Sequence, residues 1–176
     1  MILTRLAAIF CVVIFLTGCA GILSDRYVIP DQPTAAEQAW TADEQLRVAQ
    51  RTPDPDEQAE EFRKAAAAFE KVVERFPKDR QYTPAAHLLE AEIYFRLEDF
   101  RRAERTYRDV IRLYPEVADV HVNALFGVAE ALTARGKGAA GKDYYRQVID
   151  IYGESDDPDI VRRVKMAKQR YDRILD

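Results

Sequence analysis

The chain has 176 residues, of which 48% are hydrophobic, and it contains seven glycines and eight prolines. This composition describes a folded chain with room for one domain core, and it excludes a disordered or collagen-like protein. The formal net charge of −4 argues against nucleic-acid binding, which needs a basic surface, and against a charge-driven grip on anionic lipid.

The first 18 residues have the organisation of a secretory signal peptide. Arg5 follows the terminal amine, and residues 6–16 form an apolar run that is too short to span a bilayer comfortably. The run ends in the sequence LTGC at residues 16–19, which resembles the bacterial lipobox. The resemblance implies cleavage before Cys19 and attachment of acyl chains to its thiol and new amine. An ordinary secretory signal with a chance cysteine is the alternative.

The cysteine content agrees with this interpretation. Cleavage would remove Cys11, and lipid would consume Cys19, so the mature chain would hold no free thiol and no disulfide. That state suits an oxidising periplasm. Two or three acyl chains anchor a protein firmly, and Ala20, where an aspartate would resemble an inner-membrane retention signal, favours the outer membrane. The expected location is therefore the periplasmic face of the outer membrane.

Residues 19–33 form the expected lipidated cysteine and tether. The segment from Ala20 to Pro33 has two prolines and no sustained apolar period. Fourteen residues reach at most about 50 Å when fully extended. Its apolar residues Tyr27, Val28 and Ile29 would either dock on the domain or a partner, or belong to a mobile linker. The linker interpretation is slightly favoured.

Residues 34–176 form the expected helical domain. They carry the apolar period of helices, and no stretch shows the two-residue period of a strand. Caps and helix breakers divide them into seven predicted helices. Their approximate bounds are 34–50, 56–76, 84–97, 100–114, 121–134, 139–153 and 158–175. The last helix has one apolar face and one basic face, as expected of a terminal cap.

Three segments spaced 38 residues apart share the same apolar columns: residues 68–77, 106–115 and 144–153. Each has an aromatic residue near its start and another near its end, with a β-branched pair between them. Each ends at proline or glycine, which stops a helix. Because the matching positions share one helical face, the repeat predicts stacked units that are each too small to bury that face alone.

The second helix of each unit carries a small residue, an aromatic residue four positions later and a helix stopper. These are Ala65, Phe69 and Pro77, then Ala103, Tyr107 and Pro115, then Gly141, Tyr145 and Gly153. The pattern resembles the tetratricopeptide repeat. The resemblance implies an all-α fold, namely an α-solenoid of about three tetratricopeptide-like helix pairs plus a C-terminal capping helix.

Together with the lipobox, the repeats resemble the BamD family of outer-membrane assembly lipoproteins and the Tol-Pal coordinator type of tetratricopeptide protein. The resemblance implies a periplasmic scaffold that binds proteins of a cell-envelope assembly machine. A pilotin-like lipoprotein for secretin or type IV pilus assembly is the alternative. A periplasmic enzyme or solute-binding accessory remains as a third interpretation.

The resemblance also implies that the first helix of each pair lines a concave groove that receives a partner segment. The groove positions are Leu88, Glu92, Phe95, Arg96, Asn123, Phe126 and Glu130. Leu88, Phe95 and Phe126 are expected to form an exposed apolar strip, which usually marks a partner site. Alternatively, the first or the last helix of the chain itself fills the groove. The acidic residues make an acidic peptide tail a poor ligand for this groove.

The sequence offers no chemistry of an enzyme. His87 stands where the tetratricopeptide consensus has tryptophan, and it is expected to be structural. His121 is expected at the start of a helix. No residues have the spacing of a metal site, and the RGKG stretch at 135–138 lacks the flanking pattern of a phosphate loop. We therefore predict no catalytic residue, metal, cofactor or small-molecule substrate.

Overall fold

The computed structural model describes residues 27–174 of the chain. The predicted signal peptide, Cys19 and the first part of the predicted tether lie outside the described residues. Residues 27–174 contain seven helices and no strand. The helices are α1 (Ala35–Arg51), α2 (Pro55–Arg75), α3 (Thr83–Arg96), α4 (Phe100–Leu113), α5 (Ala118–Ala134), α6 (Gly138–Tyr152) and α7 (Pro158–Arg173).

Each helix packs against the next one along the chain, so α1–α2, α3–α4 and α5–α6 form three pairs and α7 closes the array. In addition, α3 contacts both α1 and α5, and α5 contacts α7, whereas the backbones of α2, α4 and α6 do not approach one another within the described chain. We call α1, α3, α5 and α7 the first-helix layer. Its closer spacing makes it the inner side of the solenoid, and the predicted fold class is confirmed.

Side-chain caps fix several helix starts. Thr34 accepts a hydrogen bond from the backbone N–H of Glu37 at 3.2 Å and donates its own hydroxyl to the Glu37 carboxylate. Asp54 and Asp157 cap α2 and α7, each followed by a proline that suits the first helical turn. By contrast, α5 has no side-chain cap and begins at Ala118, three residues before the predicted start. The expectation that His121 starts this helix is therefore wrong.

The small and aromatic columns meet where the helices touch. Phe69, Tyr107 and Tyr145 are buried, and so is Ala103. At Gly141, an added Cβ atom would lie 2.8 Å from the carbonyl oxygen of Ala129, so the backbones of α5 and α6 are in direct contact. The small residue in this column is thus a packing requirement.

Residues 27–32 lie against the helical domain. The Tyr27 hydroxyl donates to Glu60 of α2 at 2.7 Å, and Lys71 of α2 donates to the Ile29 carbonyl oxygen. Lys71 also lies 2.6 Å from the Asp31 carboxylate, and this hydrogen bond lowers the pKa of Asp31. The favoured interpretation of these residues as a mobile linker is therefore wrong.

A buried amide on α1 holds the same segment from the other side. Gln38 is fully buried; its amide nitrogen donates to the Pro30 carbonyl oxygen at 3.2 Å, and its amide oxygen accepts from the Gln32 backbone N–H at 2.9 Å. Both polar ends of a buried side chain are therefore satisfied by this segment.

Candidate protein-binding surface

The predicted groove residues all lie on α3 and α5, in the first-helix layer, but the expected apolar strip is not exposed. Phe126 is only 5% exposed and Leu88 only 9%. The Phe126 ring packs edge-on against Tyr145 at 5.4 Å between centroids, and the guanidinium of Arg163 on α7 covers it at 4.7 Å. Phe126 therefore belongs to the core, because α7 stacks on α5 as a further first helix would.

The C-terminal helix also occupies the polar part of the groove beside α5. The Nε atom of Arg170 on α7 lies 3.1 Å from Oε1 of Glu130, and the same carboxylate accepts a hydrogen bond from the Tyr145 hydroxyl. Asn123 is half-buried, and its amide nitrogen donates to the Asp119 carbonyl oxygen within α5. The alternative in which the chain's own last helix fills the groove is thus confirmed for the α5 part.

The α3 part of the groove remains open. Glu92 and Arg96 are exposed, and Phe95 is half-buried with its ring edge-on to Phe100 at 5.2 Å. The Arg96 guanidinium lies 5.1 Å from the centre of the Phe62 ring, so it caps an aromatic face and remains accessible to solvent.

The surroundings of Glu92 have opposing effects on the pKa of its carboxyl group. Part of its side chain is exposed, yet burial by the surrounding protein raises the pKa of Glu92 above the ordinary value. The charges of Arg163 and Arg96 oppose this rise. A cation from a ligand would act in the same direction as these two arginines.

Trp40 on α1 is the largest exposed hydrophobic side chain at this layer, with 62% of its surface accessible. The apolar residues of an amphipathic helix ordinarily face the core. However, Trp40 precedes the fully buried Ala42 by two residues, which places the two side chains about 160° apart around the helix. The two-residue spacing that places Trp40 opposite Ala42 is visible in the sequence. Trp40 on α1 and the accessible residues Glu92, Phe95 and Arg96 on α3 lie on two helices of the first-helix layer that contact each other. We call these four residues the open groove.

The two histidines lie on different helices, each beside a tyrosine. His87 is buried edge-on against the Tyr114 ring at 5.9 Å, and burial lowers its pKa to about 4, so it is neutral and structural, as predicted. His121 places Nδ1 2.8 Å from the Tyr152 hydroxyl. Among residues 27–174, no three potential ligands cluster in a way that could hold a metal ion.

A buried carboxyl group on α3 was not singled out in the sequence. Burial raises the pKa of Glu90 to about 8, and the neighbouring charge of Glu70 on α2 adds to the effect. The sequence did contain a signal: Glu90 is a charged residue at a position where the tetratricopeptide consensus has leucine. With the proton retained, the neutral acid fits an apolar surrounding.

No helix within the described part of the chain has the length and apolar character needed to cross a bilayer. An array of helix pairs with an open inner layer defines a class: an α-helical repeat protein, which binds through an extended surface.

The comparison with known families agrees with that class. Residues 88–156 match the family model of the tetratricopeptide repeat. The match runs from α3 to the turn after α6 and covers less than half of the chain. No curated protein matches the chain. The family match supports a tetratricopeptide-repeat protein, and such repeats bind protein partners and typically act as non-catalytic scaffolds.

Proposed function

We propose that this protein is a lipid-anchored scaffold at the periplasmic face of the outer membrane, where its open groove holds a protein of a cell-envelope assembly machine. The observation that carries the proposal is the open groove itself: an exposed tryptophan and two exposed charges on the inner layer of a solenoid that matches the tetratricopeptide repeat. Large aromatic side chains dominate the energetics of protein interfaces, so Trp40 is the expected anchor.

The lipobox supports the membrane part of this proposal, and the docked residues limit its geometry. Tyr27 is held on α2 by Glu60, and eight residues separate it from Cys19 (27 − 19). Fully extended, eight residues reach at most about 29 Å. A lipid on Cys19 would therefore keep the first helix pair closer to the membrane than a free tether of about 50 Å would.

The groove chemistry favours an apolar segment that carries a basic residue. Trp40 and the half-buried Phe95 offer apolar contact, while Glu92 offers a carboxylate whose ionised form a further cation would favour. Arg96 already caps the Phe62 ring. A basic side chain beside Glu92 would relieve the cost of its partial desolvation.

Site-specific photo-crosslinking in the native bacterium tests the groove. The full-length protein carries p-benzoylphenylalanine in place of Trp40 or, separately, Glu92, and the exposed Gln147 on α6 serves as the matched control. We expect one envelope protein to be captured from both groove positions and not from the control. Capture of a secretin subunit would instead favour the pilotin function, and equal capture from all three positions would refute the groove.

Metabolic labelling tests the anchor separately. Cells are fed a clickable fatty acid and express either the wild-type chain or the Cys19→Ser variant. A hydroxyl cannot form the thioether, so we expect the label to disappear from the variant. Undiminished labelling would refute the lipid anchor without affecting the groove.

A further inference from the structure

The outer face of α4 carries four arginines at spacings of four, three and four residues: Arg101, Arg105, Arg108 and Arg112. At 100° per residue they fall within about 60° of one another around the helix axis. All four are exposed. We call them the arginine stripe, and along the helix it extends for about 16 Å.

The arginine stripe faces away from the core. The opposite side of α4 bears the buried residues Ala103, Tyr107 and Val110, which pack within the solenoid. The stripe lies on α4, whereas the open groove lies on α1 and α3 of the first-helix layer, so the two surfaces share no residue. A partner on one surface therefore leaves the other surface free.

Internal ion pairs neutralise only half of the arginine stripe. Glu104 pairs with Arg108, and Asp109 pairs with Arg112 at 2.8 Å. Within residues 27–174, neither Arg101 nor Arg105 makes an ion pair. Two exposed guanidinium groups, one helical turn apart, thus retain all of their donors for a ligand.

The stripe borders an open depression of about 590 Å³ between α4 and the end of α5. Its lining residues are Arg101, Glu104, Arg105, Arg108, Asp109 and Arg135. Four arginines and two acids give this lining a charge of +2 (4 − 2), although the whole chain carries −4. The sign of the local charge is opposite to that of the protein as a whole, so an acidic partner is attracted to this surface.

Parts of this surface are fixed in advance. The Nε atom of Arg108 donates to the Tyr144 hydroxyl at 3.2 Å, and its guanidinium lies 5.7 Å from the centre of the Tyr144 ring. Arg135, the C-cap residue of α5, pairs with the same buried Glu104 that holds Arg108. Fewer rotamers are therefore lost when a ligand binds beside them.

We propose that the arginine stripe is a second docking surface, which binds an acidic segment of a partner protein through carboxylates spaced along that segment. Two features favour such a segment over a compact anion such as phosphate. The four arginines of the stripe are spread over about 16 Å. Glu104 lies among the arginines that line the depression, where it would repel a multiply charged anion placed at the centre. Separate carboxylates can meet Arg101 and Arg105 with paired hydrogen bonds and avoid Glu104.

Titration with a designed peptide tests this proposal. The probe is a fluorescein-labelled helical peptide with glutamates at positions i, i+4, i+7 and i+11. The control peptide has glutamine at the same positions. Fluorescence anisotropy measures the binding of each peptide to the full-length protein in a non-ionic detergent. The protein variants are Arg101→Ser/Arg105→Ser and the charge-matched control Arg51→Ser/Arg162→Ser, whose residues are exposed on α1 and α7.

We expect the glutamate peptide to bind in a salt-dependent way, and the stripe variant to bind it about five- to ten-fold more weakly, while the control changes less than about two-fold. No binding, equal binding of the glutamine peptide, or equal losses in both variants would overturn the proposal. Stronger binding to phosphatidylglycerol vesicles, or full displacement of the peptide by millimolar inorganic phosphate, would assign the surface to a different anion and also overturn it. Circular dichroism melts confirm that both variants are folded.

Discussion

The ring of Tyr107 on α4 lies directly against the backbone of Gly127 on α5: a Cβ atom added at Gly127 would fall 2.5 Å from the Cζ atom of the tyrosine. Real Cβ atoms do not approach other atoms so closely. The aromatic column of one repeat therefore requires a glycine in the next, which ties the second pair of helices to the third.

This contact predicts that Gly127→Ala destabilises the protein even though alanine is the better helix former. Tyr107 is buried, so its ring has no free space to move into. Overpacking typically costs about 1–3 kcal/mol. Thermal or urea melts measure the change, and Gly138→Ala serves as the control, because a Cβ there meets only Ile174 at an ordinary 3.4 Å. Equal stability of the two variants would contradict this packing.

Glu90 predicts a fall in stability at mildly alkaline pH. In the unfolded chain this carboxyl is ionised above its ordinary pKa of 4.5, whereas the folded protein retains the proton up to a pKa of about 8. The folded state therefore binds more protons in that window, and the free energy of unfolding falls as the pH rises through it.

His87 has the opposite effect at lower pH. Its pKa is about 4 in the folded protein and 6.5 in the unfolded chain, so its contribution to stability rises with pH between these values. The two contributions oppose each other from pH 4.5 to 6.5, and only the effect of Glu90 remains from 6.5 to 8.

Urea unfolding across this range measures the difference. We expect stability to fall by up to about 2 kcal/mol between pH 6.5 and 8 in the wild type, since one pKa unit corresponds to about 1.4 kcal/mol. The fall should disappear in Glu90→Gln, whose side chain has no proton to lose. Glu154→Gln, at an exposed site, should keep the wild-type slope. An unchanged slope in Glu90→Gln would show that another group is responsible.

We expect the two hydrogen bonds of the Gln38 amide to hold residues 27–32 against the helical domain. Gln38→Leu keeps an apolar body of similar size but removes both amide hydrogen bonds, so the Gln32 N–H loses its acceptor. We expect amide hydrogen exchange at Gln32 to accelerate by about ten-fold or more, the factor that corresponds to a loss of about 1.4 kcal/mol. Thr41→Ala, on the same helix, removes only a hydroxyl bond to the Glu37 carbonyl oxygen and should leave that exchange rate unchanged.

The sequence predicted the repeats well because their packing is local and periodic. The columns that contain Ala103, Tyr107 and Gly141 recur every 38 residues, and the structure buries all three. The start of α5 was misplaced, because Val117 gives no polar capping signal. The docking of residues 27–32 was not favoured either, because it rests on hydrogen bonds from distant side chains such as Lys71.

Whether a groove residue is exposed depends on contacts between different repeats, and the pattern of one repeat does not contain these contacts. The repeat pattern placed Phe126 on the inner layer correctly, but it could not show that Arg163 of the last helix covers the ring. The seven-helix architecture decides which groove positions remain free. On α3, three predicted positions consequently remain accessible: Glu92, Phe95 and Arg96.

Trp40 and Phe126 should therefore separate binding from stability. Trp40→Ala removes an exposed ring, so we expect the melting temperature to change little and capture of the envelope partner to weaken by about 2 kcal/mol or more, as for an interface hot spot. Phe126→Ala removes a buried ring and should cost about 3–5 kcal/mol of folding stability. A pull-down and a thermal melt on each full-length variant give both readouts. If Trp40→Ala retains full capture, the partner does not bind at the open groove; if Phe126→Ala melts like the wild type, α7 does not close over α5 as the Arg163 contact requires.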